Sequence, residues 1–409
     1  MNDVSTPIAP VPRISIQAFC EQADTHGILS NVLGDRRMAK AHMKIHMGGA
    51  AAAVEAYRDA PTPNLIIIES SGDKRLLIEQ LDMLAEMCDS GTKVVVIGRV
   101  NDILLYRELI ARGVSEYIVH PFTATAFVRS VSELYGNDTS KLVGRVIAVT
   151  GAKGGVGSST IAHNLAWTLS RELDQPAIIV DMDLPFGTAG LDFNQDPAQG
   201  VADAVFANDR LDANYIERLL SRCSDKLSIM AAPATLERLY DLNEDSYDNL
   251  IDLMRGAAPL VVLDVPHSWN GWARRALIAA DDVVLVAAPD LANLRNAKNI
   301  LDALKPARAN DSRPRIVMNG VGMLKRPEIS IADFTRAVES EPVAIISHDA
   351  KLFGTASNNG QMIGEIDAAN KVTETFSELA RLLTGRHDIR KPKKNLLEPL
   401  LARLGRKTG

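Results

Sequence analysis

The sequence predicts an α/β fold made of two doubly wound parallel-sheet domains. Three observations carry that expectation. Short Val- and Ile-rich runs alternate with amphipathic helical stretches along most of the chain, the rhythm of βα units. The runs are apolar on successive residues rather than on alternate ones, as strands covered on both faces are. The rhythm breaks at the polar, turn-prone Gly136–Lys141, which divides the 409 residues into a smaller front part and a larger second part.

Taken in order, residues 1–12 are rich in Pro, Ser and Thr and are expected to be disordered. A first domain is expected over 13–135, with strands at Ile14–Phe19, Ala41–His46, Leu65–Ile68, Lys93–Ile97 and Glu116–Val119. Between them, Arg75–Cys88 sets Leu76, Leu77, Leu81, Leu84 and Met87 at helical spacing. A linker is expected at 136–144 and a second domain at 145–384. The second domain's strands are read at Val146–Thr150, Ala177–Asp181, Ser228–Ala232, Leu260–Asp264, Val283–Ala288, Arg315–Asn319 and Val343–Ile346. Residues 385–409 form a basic tail.

Bulk properties narrow the function classes. The net charge of −6 does not advertise a nucleic-acid surface. Cys20, Cys88 and Cys223 lack pairing or metal-ligand spacing, which fits a reducing cytoplasm and argues against a zinc or iron–sulfur site. No signal peptide is read at the N-terminus, and no apolar run approaches the roughly 20 residues that span a bilayer.

The chemistry is concentrated in Gly151-Ala152-Lys153-Gly154-Gly155-Val156-Gly157-Ser158-Ser159-Thr160, between an apolar run and a helical stretch. Glycines let backbone N–H groups turn toward phosphate oxygens, and a helix N-terminus adds a favourable dipole. A lysine is expected just before the Ser/Thr of such a loop, and here that position is Ser158. Losing a buried charge-assisted contact costs on the order of 1.5–3 kcal/mol. The loop therefore reads as one that holds a nucleotide without being a fast hydrolase.

A lysine before two glycines resembles the deviant P-loop of the MinD/ParA-type ATPases, over about Arg145–Thr384. The resemblance implies a site for ATP and Mg²⁺. It places Gly154, Gly155, Val156, Gly157, Ser158, Ser159 and Thr160 around the phosphates, with Ser159 and, through water, Asp264 on the metal. Lys153 takes the place of the lysine that reaches across a dimer to the partner's phosphates. Asp183, after Asp181, matches a switch I carboxylate that orients the attacking water. Pro289 and Arg295 match a segment near the nucleotide, and Asn319 an adenine contact. Ser347-His348-Asp349 followed by Ala356–Gly360 resembles the family's ending. Asp183 also reads as a strand-end cap, and Asn319 as a strand terminator.

Residues 13–135 resemble a response-regulator receiver whose chemistry is gone. The acceptor position is Glu69, the hydroxyl position Gly98, and the lysine before Pro121 is His120. A pseudo-receiver used for docking or dimerisation is expected. Glu21 and Asp24 are read as solvated helix-start residues, and Tyr106 and Phe122 as packing residues.

An inactive receiver joined to a MinD/ParA-like domain with a lysine-less loop looks like the CpaE/TadZ family of pilus assembly proteins, as do Pro266-His267-Ser268-Trp269 and the run from Pro289 to Arg295. That resemblance implies a homodimeric, ATP-dependent, cytoplasmic factor for Flp/Tad (type IVb) pilus assembly. Such a factor often acts at a cell pole, beside a secretion ATPase and an inner-membrane platform. In the tail, Leu396, Leu397, Leu400, Leu401 and Leu404 share one helical face between basic flanks. It suits an interfacial membrane anchor, a helix docking on a protein, or a disordered basic tail. Two other functions compete with it: a DNA-partitioning ATPase of ParA type, which needs a basic surface, and an active two-component regulator, which Glu69, Gly98 and His120 oppose.

Overall fold

The computed structural model describes residues 7–136, 143–207 and 210–385. The basic tail and most of the linker lie outside the described residues.

The first domain is a five-stranded parallel sheet of β1 (Ser15–Cys20), β2 (His42–Met47), β3 (Leu65–Ser70), β4 (Lys93–Gly98) and β5 (Glu116–Val119). Its order, β2-β1-β3-β4-β5, is the doubly wound order in which β3 and β1 end at the binding crevice. One face is built on Ile16, Ala18, Ile67, Val95 and Phe127, and the other on Phe19, Ile66, Ile68, Leu81 and Leu109. Residues 7–12 depart from the expected disorder. Ile8 and Val11 are buried in the first of these cores, and the Val11 N–H donates to the Arg37 carbonyl at 2.8 Å. The burial of two apolar side chains offsets the ordering cost of a short extended segment. In the helix Lys74–Met87, Leu77, Leu81 and Leu84 are buried while Leu76 is exposed.

The second domain holds an eight-stranded sheet. Its strands are β6 (Arg145–Gly151), β7 (Ala177–Asp181), β8 (Ser221–Arg222), β9 (Leu227–Met230), β10 (Leu260–Asp264), β11 (Asp282–Ala287), β12 (Arg315–Val321) and β13 (Pro342–Ser347). The order is β13-β12-β11-β6-β10-β7-β9-β8, parallel except for the β8–β9 pair. Strand β8, two residues long, carries no periodic signal and was not read from the sequence. From β6 the chain builds outward to β7 and β9 on one side and later to β11, β12 and β13 on the other. The crevice of this sheet therefore opens at the carboxyl end of β6. The helix Ser158–Arg171 covers that strand and buries Ile161, Leu165 and Leu169 in one core with Phe376, Leu379 and Leu383 of the helix Lys371–Thr384.

The two domains meet through buried charge. Arg36, in the turn Arg36–Met38, donates to Asp311 at 2.7 Å, to Asp281 at 3.0 Å and to the Ala279 carbonyl at 2.5 Å. Arg37 pairs with Asp35 at 2.9 Å and with Asp311. Arg255 closes the cluster on Asp281 at 2.5 Å. Among the described residues no helix is long and apolar enough to cross a membrane.

Candidate functional site

The loop after β6 is held open by side chains that arrive from far along the chain. The Asn296 amide donates to the Ala152 carbonyl at 2.9 Å, and the Asn319 amide donates to the Val156 carbonyl at 2.8 Å. His267 places Nδ1 2.8 Å from the Gly151 carbonyl. Gly155 and Gly157 have φ of +75° and +88°, a backbone that other residues rarely adopt. A Cβ at Gly157 would lie 2.6 Å from the Asn319 amide nitrogen, whereas one at Gly154 or Gly155 would meet nothing. The loop is packed behind and open in front. The helix Ser158–Arg171 begins with no side-chain cap, so its first N–H groups face the open side without a local acceptor. Lys153 is exposed at the loop's leading edge.

The floor of the site is acidic. Asp264 and Asp181 end neighbouring strands in register and are both buried. Asp181 accepts the Asp183 N–H at 3.2 Å and the Ala189 N–H at 3.0 Å. Burial, with the charge of Asp264, pushes its carboxyl up to about 7. Asp183 is half-buried and accepts the Phe186 N–H at 3.2 Å, so it caps its own turn. Burial pushes the Asp183 carboxyl up.

One side chain that the sequence did not single out stands at the centre. His163 is fully buried, with Nδ1 2.7 Å from Asp192 and Nε2 3.3 Å from Asp264. The second contact is close enough for an ion pair but lacks hydrogen-bond geometry, leaving Nε2 and Asp264 Oδ1 without hydrogen-bond partners. Burial pushes the imidazole down, but the two carboxylates outweigh it and raise it to about 10. In sequence, His163 is one polar residue in the apolar stretch Ile161–Leu165, which reads as core.

The open cradle, the uncapped helix start and the unpartnered Asp264 oxygen fit a magnesium nucleotide. Asn319 lies against the loop, while Pro289 stands at the entry to the helix Leu291–Leu304, where Asp290 caps at 2.8 Å. Arg295 bonds Asn296, the residue that braces the loop.

The corresponding pocket of the first domain is filled by its own side chains. Glu69 accepts the Glu21 and Gln22 N–H groups at 2.8 and 2.9 Å and the Thr25 hydroxyl at 2.6 Å. Asp24 is held by Arg99 at 2.8 Å, with His120 3.3 Å away. Glu21 accepts from the Ser71 N–H and hydroxyl at 2.8 and 2.5 Å. Glu21 is thus part of this network rather than a solvated helix-start residue, whereas Asp24, in the first turn of the helix Ala23–Leu33, stays exposed as the sequence suggested while pairing with Arg99. Gly98 makes room for Tyr117, whose hydroxyl donates to the Val100 carbonyl at 2.8 Å.

A family profile described as an AAA domain matches residues 144–316. The septum site-determining protein MinD of Synechocystis is 25% identical over 251 residues, which are 59% of this chain and 90% of that protein. A ParA family ATPase from Chlorobium tepidum, 26% identical, superposes with a TM-score of 0.53 over 58% of this chain and 98% of its own. A pilus assembly protein CpaE structure from Caulobacter crescentus is 44% identical, with a TM-score of 0.31, over 32% of this chain and 98% of that one.

Proposed function

We propose that this chain, whose second domain is similar to MinD/ParA-type P-loop ATPases, is an ATP-binding localisation and assembly factor for Flp/Tad pili. In this reading the chain forms a nucleotide-gated homodimer with slow or no hydrolysis. It works in the cytoplasm, at a pole or at the inner-membrane surface, beside the pilus secretion ATPase and platform.

The observation that carries the reading is the loop at Gly151–Thr160, an open phosphate cradle with Lys153 at its edge and Ser158 where a lysine would stand. Bound magnesium would supply charge neutralisation at the phosphates. Ser159 and Asp264 would hold it, Asp264 through a water on its unpartnered oxygen. Backbone N–H groups bind the phosphates, and Lys153 contributes its charge to the partner's nucleotide. Asp183 would orient a water, but its carboxylate already caps a turn, so the reacting arrangement requires that turn to move. Support for the pilus assignment comes from the pairing of this loop with a receiver-like domain whose pocket is self-filled, and from 44% identity to a chain named for pilus assembly.

The test is a calorimetric titration of the full chain with Mg²⁺–ATP, with mass followed by light scattering, for wild type and Lys153→Ala. The expected outcome is ATP binding in both and a nucleotide-dependent dimer in wild type alone. Absence of binding in wild type would reduce the chain to a scaffold. An ATPase rate comparable to ordinary MinD-type enzymes would remove the slow-hydrolysis part.

A further inference from the structure

We propose that His163 is a positioning residue: it orients the Asp264 carboxylate for magnesium and ties it to Asp192, coupling metal binding to the segment 183–193. The inference rests on the reading of this site as one for a magnesium nucleotide. His163 belongs to the helix that follows the phosphate loop, and its ring lies between two carboxylates from different elements. Asp264 ends β10 on the floor of the site. Asp192 ends the short helix Ala189–Asp192, beyond the turn that Asp183 caps.

A side chain that served packing alone would be apolar here, because burying a polar ring costs free energy that must be compensated; Nδ1 is hydrogen-bonded to Asp192 and Nε2 has only the charge of Asp264 beside it. The ring does pack, with Phe193 at 5.6 Å, but its two nitrogens face carboxylates on opposite sides. The contact from His163 takes Asp264 Oδ2 and leaves Oδ1 without a partner. A buried imidazolium held against one oxygen of a carboxylate restricts its direction by charge, the role that outer residues play for carboxylates that hold metals. The segment 183–193 is then fastened to the strand end at Asp181 through the Asp183 and Ala189 N–H groups at 3.2 and 3.0 Å, and to the helix Ser158–Arg171 through Asp192 on His163 at 2.7 Å. A pull on Asp264 reaches Asp192 through one rigid ring.

The experiment measures ATP affinity of the full chain with Mg²⁺ and with EDTA, for wild type, His163→Val and Asp192→Asn. Hydrogen exchange over 183–193 is followed in the same samples. The expected result is similar affinity in EDTA for all three. The gain conferred by Mg²⁺ should fall about tenfold in His163→Val and in the same direction in Asp192→Asn. Mg²⁺–ATP should protect 183–193 in wild type and not in His163→Val. An equal Mg²⁺ gain and equal protection in all three proteins would overturn the proposal. Should His163→Val fail to fold, Asp192→Asn, which keeps the ring, decides by the same comparison. Wild type that binds ATP in neither condition would overturn the nucleotide reading and this coupling with it. Binding without the variant effect would overturn the coupling alone.

Discussion

At the scale of single residues, Ser158 sets how tightly the site can grip. It opens its helix beside Gly151, where an added Cβ would sit 3.2 Å from the Ser158 hydroxyl oxygen. The hydroxyl is therefore near the strand end, and a longer cationic side chain from the same position would extend toward the open cradle. Ser158→Lys is expected to tighten ATP binding by roughly tenfold to a hundredfold, the equivalent of about 1.5–3 kcal/mol for a charge-assisted bond. Calorimetric titration checks it, and unchanged affinity would mean that the phosphates do not lie against this helix start. Residues that act through backbone and order were legible in the sequence: Lys153, the loop glycines and the strand-ending Asp264. Residues that act through tertiary contact were not. Asn296 braces a carbonyl 144 residues away, and His163 gains meaning only when Asp192 and Asp264 fold against it.

At the scale of elements, all the strands read from the sequence are present, and the departures have local causes. Apolar runs such as Leu65–Ile68 and Leu260–Asp264 announce themselves because both faces are covered. The two-residue β8 is too short to show a period, and 7–12 is ordered by contacts that a short proline-rich composition does not reveal. Strand β4 ends at a packing position. At Gly98 an added Cβ would lie 2.2 Å from the Tyr117 hydroxyl oxygen, and Tyr117 is 8% exposed. Introducing a hydroxyl here with Gly98→Thr forces that ring out or strains the strand. The expected cost is about 1–3 kcal/mol, as for overpacking elsewhere. Tyr117→Ala in the same chain should recover part of it. Urea unfolding of the single and double variants reads the coupling, and additive losses would show that the two positions do not compete for space.

At the scale of the molecule, the joint between the domains is ionic, and this makes it sensitive to acid. Asp281 faces Arg36 from the first domain and Arg255 from the second, and Asp311 faces Arg36, Arg37 and Arg308. Burial pushes the Asp281 carboxyl up, but the charges of Arg255 and Arg36 outweigh it and hold it at about 2. Asp311 is likewise held below its ordinary value by Arg36, Arg37 and Arg308 against the effect of burial. A carboxyl whose folded value is lowered contributes stability above its unfolded value, about 3.9, and loses it as pH falls through the folded one. The joint should therefore hold from neutral pH down to about pH 4 and loosen toward pH 2. Small-angle scattering should show the chain extending over that interval while each sheet keeps its circular dichroism. Removing one partner of a buried pair costs about 3–5 kcal/mol where the other is left unpaired; without Arg36, Asp281 keeps Arg255 and Asp311 keeps Arg37 and Arg308, so the loss falls on the contact between the domains rather than on either carboxylate. Arg36→Ala should split a single calorimetric transition at neutral pH into two, because each domain has its own core and Arg36 carries several of the buried polar contacts between them, beside the more exposed Lys40–Asp252 pair. A single unshifted transition in Arg36→Ala would mean that the domains are joined by something other than these charges. The ion pairs sit at the amino end of β11, opposite the carboxyl ends that carry the loop. A first domain fixed there leaves the nucleotide face clear, so loosening it should leave ATP affinity unchanged in Arg36→Ala. That pairing of results, two melting transitions with one undisturbed binding constant, separates a docking role for the first domain from a part in nucleotide chemistry.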